Sequence, residues 1–149
     1  MLIPIRRLHC QAVLPTQTYE HDAGFDLHAV EPAVLAPGER AIVGTGFALE
    51  LPAGHAGLIL PRSGLAANHG ISVVNAPGLI DAGYRGEVRV LLLNTDLKET
   101  FPIDVGDRIA QLVITALPTV TFTETQTLAT SDRKERGFGS SGVKATTCP

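Results

Sequence analysis

A hydrophobic period of two runs through almost every readable stretch of this chain, and that period belongs to extended strands, not helices. In residues 41–51 the odd positions are Ala41, Val43, Thr45, Phe47, Leu49 and Leu51, whereas the even ones from 44 are Gly44, Gly46, Ala48 and Glu50. One strand with one buried face is expected there. Residues 87–94 repeat the pattern, setting Val88, Val90 and Leu92 against Glu87 and Arg89. Further strands are expected over 25–29, 56–60, 71–74, 108–115 and 119–125, divided by Gly, Pro or Asp clusters. That spacing predicts an all-β sandwich or jelly roll. The single helix expected is short, 63–68, with Ser63 placed to cap it and Gly70 to stop it.

A chain of 149 residues suits one domain, and 15 Gly with 10 Pro support a turn-rich one. After Pro118 the core signals fade, so the expected organisation is a β domain over 1–128 followed by a polar arm over 129–149. A net charge of -3 provides no basic field for a nucleic-acid polymer, so any phosphate binding must be local. No apolar run exceeds four residues, against roughly 20 for a membrane helix, and no membrane association is expected. The first residues, Met1-Leu-Ile-Pro-Ile-Arg-Arg, are not expected to be a secretory signal. Cys10 and Cys148 are too few for a disulfide framework, which points to a reducing, cytoplasmic setting, with a clip between the termini as the alternative. The histidines at 9, 21, 28, 55 and 69 have no metal-binding spacing, and there is neither a Walker loop nor a dinucleotide fingerprint.

Five short clusters mix glycine with charge or hydroxyl where a strand yields to a loop. Ala23-Gly-Phe-Asp-Leu-His-Ala sets Asp26 and His28 opposite Phe25 and Leu27, which equally describes a solvent-facing acid on a half-buried strand. Pro61-Arg-Ser-Gly-Leu-Ala joins a cation, a hydroxyl and a helix start, donors that suit a phosphate or an ordinary cap. In Asn75-Ala-Pro-Gly-Leu-Ile-Asp-Ala-Gly-Tyr-Arg-Gly the glycines and Pro77 describe a hairpin carrying Asp81 and Tyr84. These two read as a base and a stacking platform, or as a turn acid and a packing ring. Gly106-Asp-Arg-Ile-Ala-Gln enters a strand from a turn, with Asp107 and Arg108 able to form a surface pair. Arg133-Lys-Glu-Arg-Gly-Phe-Gly-Ser-Ser-Gly reads as a linker, or as a wrap for a polyphosphate with Phe138 stacking on a base.

In this order and spacing the five clusters resemble the five signature motifs of the trimeric dUTPase family, over 23–142. The resemblance implies a jelly-roll-like β subunit with one short helix and a C-terminal arm. It further implies a homotrimer whose active sites are each built from three chains, the arm closing over a neighbour's site. The implied activity is hydrolysis of dUTP to dUMP and pyrophosphate, which limits uracil in DNA and supplies dUMP for dTMP synthesis. By resemblance Asp81 is the general base, Tyr84 lies under deoxyribose, and Asn75 with the backbone at Gly78 reads uracil, on which Phe138 stacks. Arg62, Ser63, Gly64, Gln111, Arg133, Ser140 and Ser141 match phosphate-binding positions. Asp26 matches the acid that holds metal-bound water, the metal being magnesium carried on the triphosphate. One departure stands out: Lys134 and Arg136 occupy places where the family usually has glycine, so the arm's path is open to change.

Two other readings compete. A dCTP deaminase of similar fold would need an acid/base residue, usually Glu, beside the base, and none lies between Asn75 and Tyr84. A non-catalytic nucleotide-binding trimer would be expected to lose the water-activating acid, yet Asp81 is present.

Overall fold

A computed structural model of the chain describes residues 1–140. The first compact unit, Met1–Thr119, holds every regular element among the described residues. Its strands are β1 (Ile5–Arg7), β2 (Phe25–His28), β3 (Ala33–Leu35), β4 (Arg40–Gly44), β5 (Phe47–Leu49), β6 (His55–Leu60), β7 (Ile71–Val73), β8 (Gly78–Ile80), β9 (Arg89–Asn94), β10 (Phe101–Ile103) and β11 (Arg108–Ala116), and its one helix is α1 (Ser63–His69). All pairings are antiparallel: a four-stranded sheet in the order β2-β11-β6-β8, a three-stranded sheet β4-β9-β7, and the pairs β1-β5 and β10-β3. The unit is the all-β, jelly-roll-like fold expected.

The core follows from the period of two. Leu27, Leu35, Val43, Phe47, Val90, Leu92, Ile103 and Ile109 are buried. Each contributes about 1.5–3 kcal/mol by leaving water. The expected strand over 41–51 has its odd face buried from Val43 on, but it is two strands in two sheets. The chain turns at Gly46, where φ is 70° and a Cβ would press on Ala12, Val30 and His9. Gly70 stops α1 with φ 65° and an amide bonded back to Ala66, as expected.

Four expectations are corrected. Ser63 is the first residue of α1 and not its cap. That place falls to extended Arg62, with no side-chain hydrogen bond to the helix. The hairpin around Asp81 is an arch, since β8 pairs with β6 while β9 pairs with β4 and β7. No strand forms over 119–125, where Val120 and Phe122 alternate but find no partner strand among the described residues. Finally, Arg108 pairs with Asp26 and not with Asp107, whose carboxylate accepts the Asp104 amide instead.

The second unit begins at Val120. Its described residues make turns only, with Lys134 bonded to Ser131 and Arg136 to Arg133 through the backbone. Lys134 has φ 51°, the left-handed conformation that glycine would adopt freely. For a lysine that conformation costs roughly 1–2 kcal/mol.

Candidate active site

The four-stranded sheet carries two clefts with no lining residue in common. At one edge, β2 presents Asp26 and His28 on the same face, two residues apart. Their partner strand is irregular. Arg108 and Ala110 of β11 face His28 and Leu27, so two steps on β11 match one on β2, and Ile109 is the extra residue of a β-bulge. In an unbroken strand Arg108 and Gln111, three apart, would point to opposite faces. The bulge absorbs the odd step: Ile109 and Ala110 are both buried, while Arg108 and Gln111 line one cleft of about 410 Å³ with Asp26, Arg62, Ser63 and Gly64.

Within that cleft Asp26 is 16% exposed and held from both sides, Oδ1 lying 3.3 Å from Arg62 Nε and Oδ2 lying 3.1 Å from Arg108 Nη1. Arg62 Nη1 donates to the Arg108 carbonyl at 3.0 Å, and the Thr18 hydroxyl donates to Asp26 Oδ2 at 3.3 Å. Gln111 Nε2 donates to the Pro61 carbonyl at 2.9 Å, and its carboxamide covers Gly24 so closely that a Cβ there would collide with Oε1. Two guanidiniums surround the Asp26 carboxylate, and Ser63 and Asp22 line the same cleft, so the donors suit a polyphosphate although Asp22 balances the charge that the arginines leave over. Burial pushes His28 below its ordinary pKa, against the pull of Asp26 and with added push from Arg108 and Arg62. Its Nδ1 is buried without a hydrogen-bond partner among the described residues.

At the other edge, beyond β11 and β6, the β8–β9 arch forms the second cleft, about 260 Å³, lined by Asn75, Gly78, Leu79, Asp81 and Tyr84. The Asn75 carboxamide rests against Gly78, 3.3 Å from where a Cβ would stand. The Tyr84 amide donates to the Asp81 carbonyl at 3.0 Å and closes a turn, and the Tyr84 hydroxyl donates to the Glu87 carbonyl at 2.9 Å. Arg85 laces the arch through the carbonyls of Ala82 and Tyr84 at 2.7 and 2.9 Å and pairs with Glu50 at 3.2 Å. Asp81 is exposed, and among the described residues its carboxylate has no hydrogen-bond or ion-pair partner. A free acid on a braced turn is a proton acceptor held ready.

The structure thus brings Asp26, Arg62, Ser63, Gly64 and Gln111 together in one cleft and Asn75, Gly78, Asp81 and Tyr84 in the other. Arg133, Phe138 and Ser140 belong to the second unit, with Phe138 and Ser140 exposed, while Ser141 lies outside the described residues. Arg108 was not foreseen as a site residue. Its distance of three from Gln111 argues against a shared face unless the bulge is known.

Among the described residues no three His, Cys, Asp or Glu side chains gather to hold a metal, and no helix is long and apolar enough to cross a membrane. The family model for dUTPase matches residues 11–142. A deoxyuridine 5'-triphosphate nucleotidohydrolase of Corynebacterium glutamicum is 52% identical over 143 residues, covering 96% of both chains. One from Thermobifida fusca is 54% identical over 143 residues, covering 96% of this chain and 80% of its own. The solved dUTPase of Staphylococcus bacteriophage 80alpha with dUpNHpp aligns at TM-score 0.88 and 30% identity, covering 95% of this chain and 99% of the phage chain. A mutant dUTPase from phage phi11 of S. aureus, solved to detail the coordination of a structural Mg(II) ion, aligns at TM-score 0.81 and 26% identity, covering 87% and 100%. With a family model matched along most of its length and relatives more than half identical to it, the chain belongs to the dUTPase family.

Proposed function

We propose that this chain hydrolyses dUTP to dUMP and pyrophosphate as a cytoplasmic homotrimer whose active sites are completed between copies. The observation that carries the reading is the pairing of a free acid beside an aromatic wall in one cleft with two arginines, a serine and a glutamine in the other. β2, which carries Asp26, and β8, which leads to Asp81, lie three strand spacings apart, about 14 Å. One nucleotide is then served by the arch of one copy and the charged cleft of another. Apolar side chains support association: Ile42 and its register partner Leu91 face outward beside the arch, and Leu79 is exposed.

In this mechanism Asp81 accepts a proton from water as the water oxygen attacks the α-phosphorus in line. The bond from that phosphorus to the oxygen bridging to the β-phosphate breaks, and pyrophosphate leaves. Asn75 and the backbone at Gly78 present donors and acceptors to uracil. The Tyr84 ring fills the space a 2′-hydroxyl would need. Arg62, Ser63, Gly64 and Gln111 bind the phosphates, joined by Arg133, Ser140 and Ser141 of a third copy's arm, with Phe138 stacked on the base. Positioning and charge stabilisation supply most of the rate.

The donor set bears on magnesium. An Asp26 carboxylate already flanked by two arginines suits an ion that arrives on the triphosphate with its waters, not one held by the protein. Asp26 would hold one of those waters, and the ion would offset charge on the phosphate oxygens. The test is to incubate the purified protein with dUTP and with dCTP, each with magnesium, and separate products by ion exchange. The reading expects dUMP and pyrophosphate from dUTP and no dUTP from dCTP. Deamination of dCTP, or binding without turnover, would overturn it.

A further inference from the structure

Arg108 lines the charged cleft and pairs with Asp26. We propose that it is a positioning residue that occupies Asp26 so that Arg62 remains available to the polyphosphate, an inference that rests on the reading of this cleft as the phosphate site. The three residues close a ring: Arg62 Nε to Asp26 Oδ1 at 3.3 Å, Asp26 Oδ2 to Arg108 Nη1 at 3.1 Å, and Arg62 Nη1 to the Arg108 backbone carbonyl at 3.0 Å. The bulge at Ile109 is what turns Arg108 into the ring, and Thr18 steadies it, accepting from Nη1 at 3.3 Å.

The charge balance gives the ring its purpose. Asp26 is a liability beside a polyanion, because a carboxylate there repels each phosphate and competes with them for Arg62. With Arg108 present the ring carries one net positive charge, and Arg62 keeps three of its five N–H donors free of the two bonds above. Without it Asp26 and Arg62 neutralise one another, and Asp22 leaves the cleft net negative. Arg108 therefore acts through Asp26 and is not required to touch the ligand.

The full-length protein with Arg108→Gln, with Arg108→Lys and with Arg108→Gln combined with Asp26→Asn provides the test, using inorganic pyrophosphate as probe in titration calorimetry without magnesium. Arg108→Gln is expected to weaken pyrophosphate binding by roughly three- to tenfold and to raise KM for dUTP with kcat nearly constant. Arg108→Lys should recover most of the affinity. The double variant should bind pyrophosphate more tightly than Arg108→Gln alone, since removing the carboxylate removes what Arg108 offsets. A loss that persists undiminished in the Asp26→Asn background would overturn the proposal, as would Arg108→Gln binding like the parent with an unchanged melting temperature. Turnover of dUTP by the parent is read separately, so failure of the hydrolytic assignment would leave the pyrophosphate result standing.

Discussion

The phenol ring of Tyr84 lies folded over Gly86, so close that a Cβ at Gly86 would overlap both the ring and its hydroxyl. The ring's position is thus set by a missing side chain two residues away and by the bond from its hydroxyl to the Glu87 carbonyl at 2.9 Å. Gly86→Ala should push the ring out of place and lower discrimination between dUTP and UTP by roughly 10- to 100-fold, and Tyr84→Ala should do the same. Parallel kcat/KM measurements on both nucleotides check this. Selectivity unchanged in Gly86→Ala would mean that the ring does not form the sugar wall.

Asp81→Asn keeps the shape of the turn but removes the proton acceptor. Turnover should fall roughly 10²- to 10⁴-fold, with dUpNHpp binding retained. Single-turnover kinetics separates the two effects, and near-parental turnover would remove Asp81 from the role of base.

Much of this site was legible because its signals are local. Phe25 and Leu27 alternate with Asp26 and His28, so the acid's outward direction followed from period two alone. Gly70 announced the end of α1 through its tolerance of left-handed geometry. What escaped depends on distant parts of the chain. Whether 41–51 makes one strand or two is decided by the crowding of Ala12, Val30 and His9 around Gly46, which no alternation encodes. Residues 119–125 keep a strand's alternation, yet a ladder needs a partner. The strands β3 and β10 are three residues each, too short for a period to be counted. Arg108 was hidden by its bulge.

The arm offers a test of charge. Lys134 and Arg136 place two cations in the arm, and Lys134 already has a backbone angle that glycine adopts freely. Changing both to Gly should therefore preserve the path while removing charge. KM for dUTP should rise several-fold at low salt and depend less on ionic strength, each cation contributing on the order of 0.2–1 kcal/mol. Parallel KM curves for parent and variant across salt concentrations would mean that these side chains stay away from the phosphates.

His28 gives a pH dependence of stability with a definite sign. Its folded pKa is lowered from 6.5, chiefly by burial, so the unfolded chain binds a proton more readily. The contribution is present in full above 6.5 and is lost as pH falls from there through the folded pKa. Replacing His28 by Gln should flatten the slope of melting temperature between pH 7 and roughly 5, the range in which an ordinary histidine titrates. Equal slopes in both proteins would contradict this.

In the proposed trimer one copy supplies Asp81 and another supplies Arg62 to the same nucleotide. Asp81→Asn and Arg62→Ala chains, each nearly inactive alone, can be co-expressed with different tags and the mixed trimers purified by both. Around any trimer that carries both tags exactly one of the three sites joins an intact arch to an intact charged cleft, so dUTP hydrolysis should return to about a third of the parent's value. Mixed trimers no more active than either parent variant would contradict the shared site.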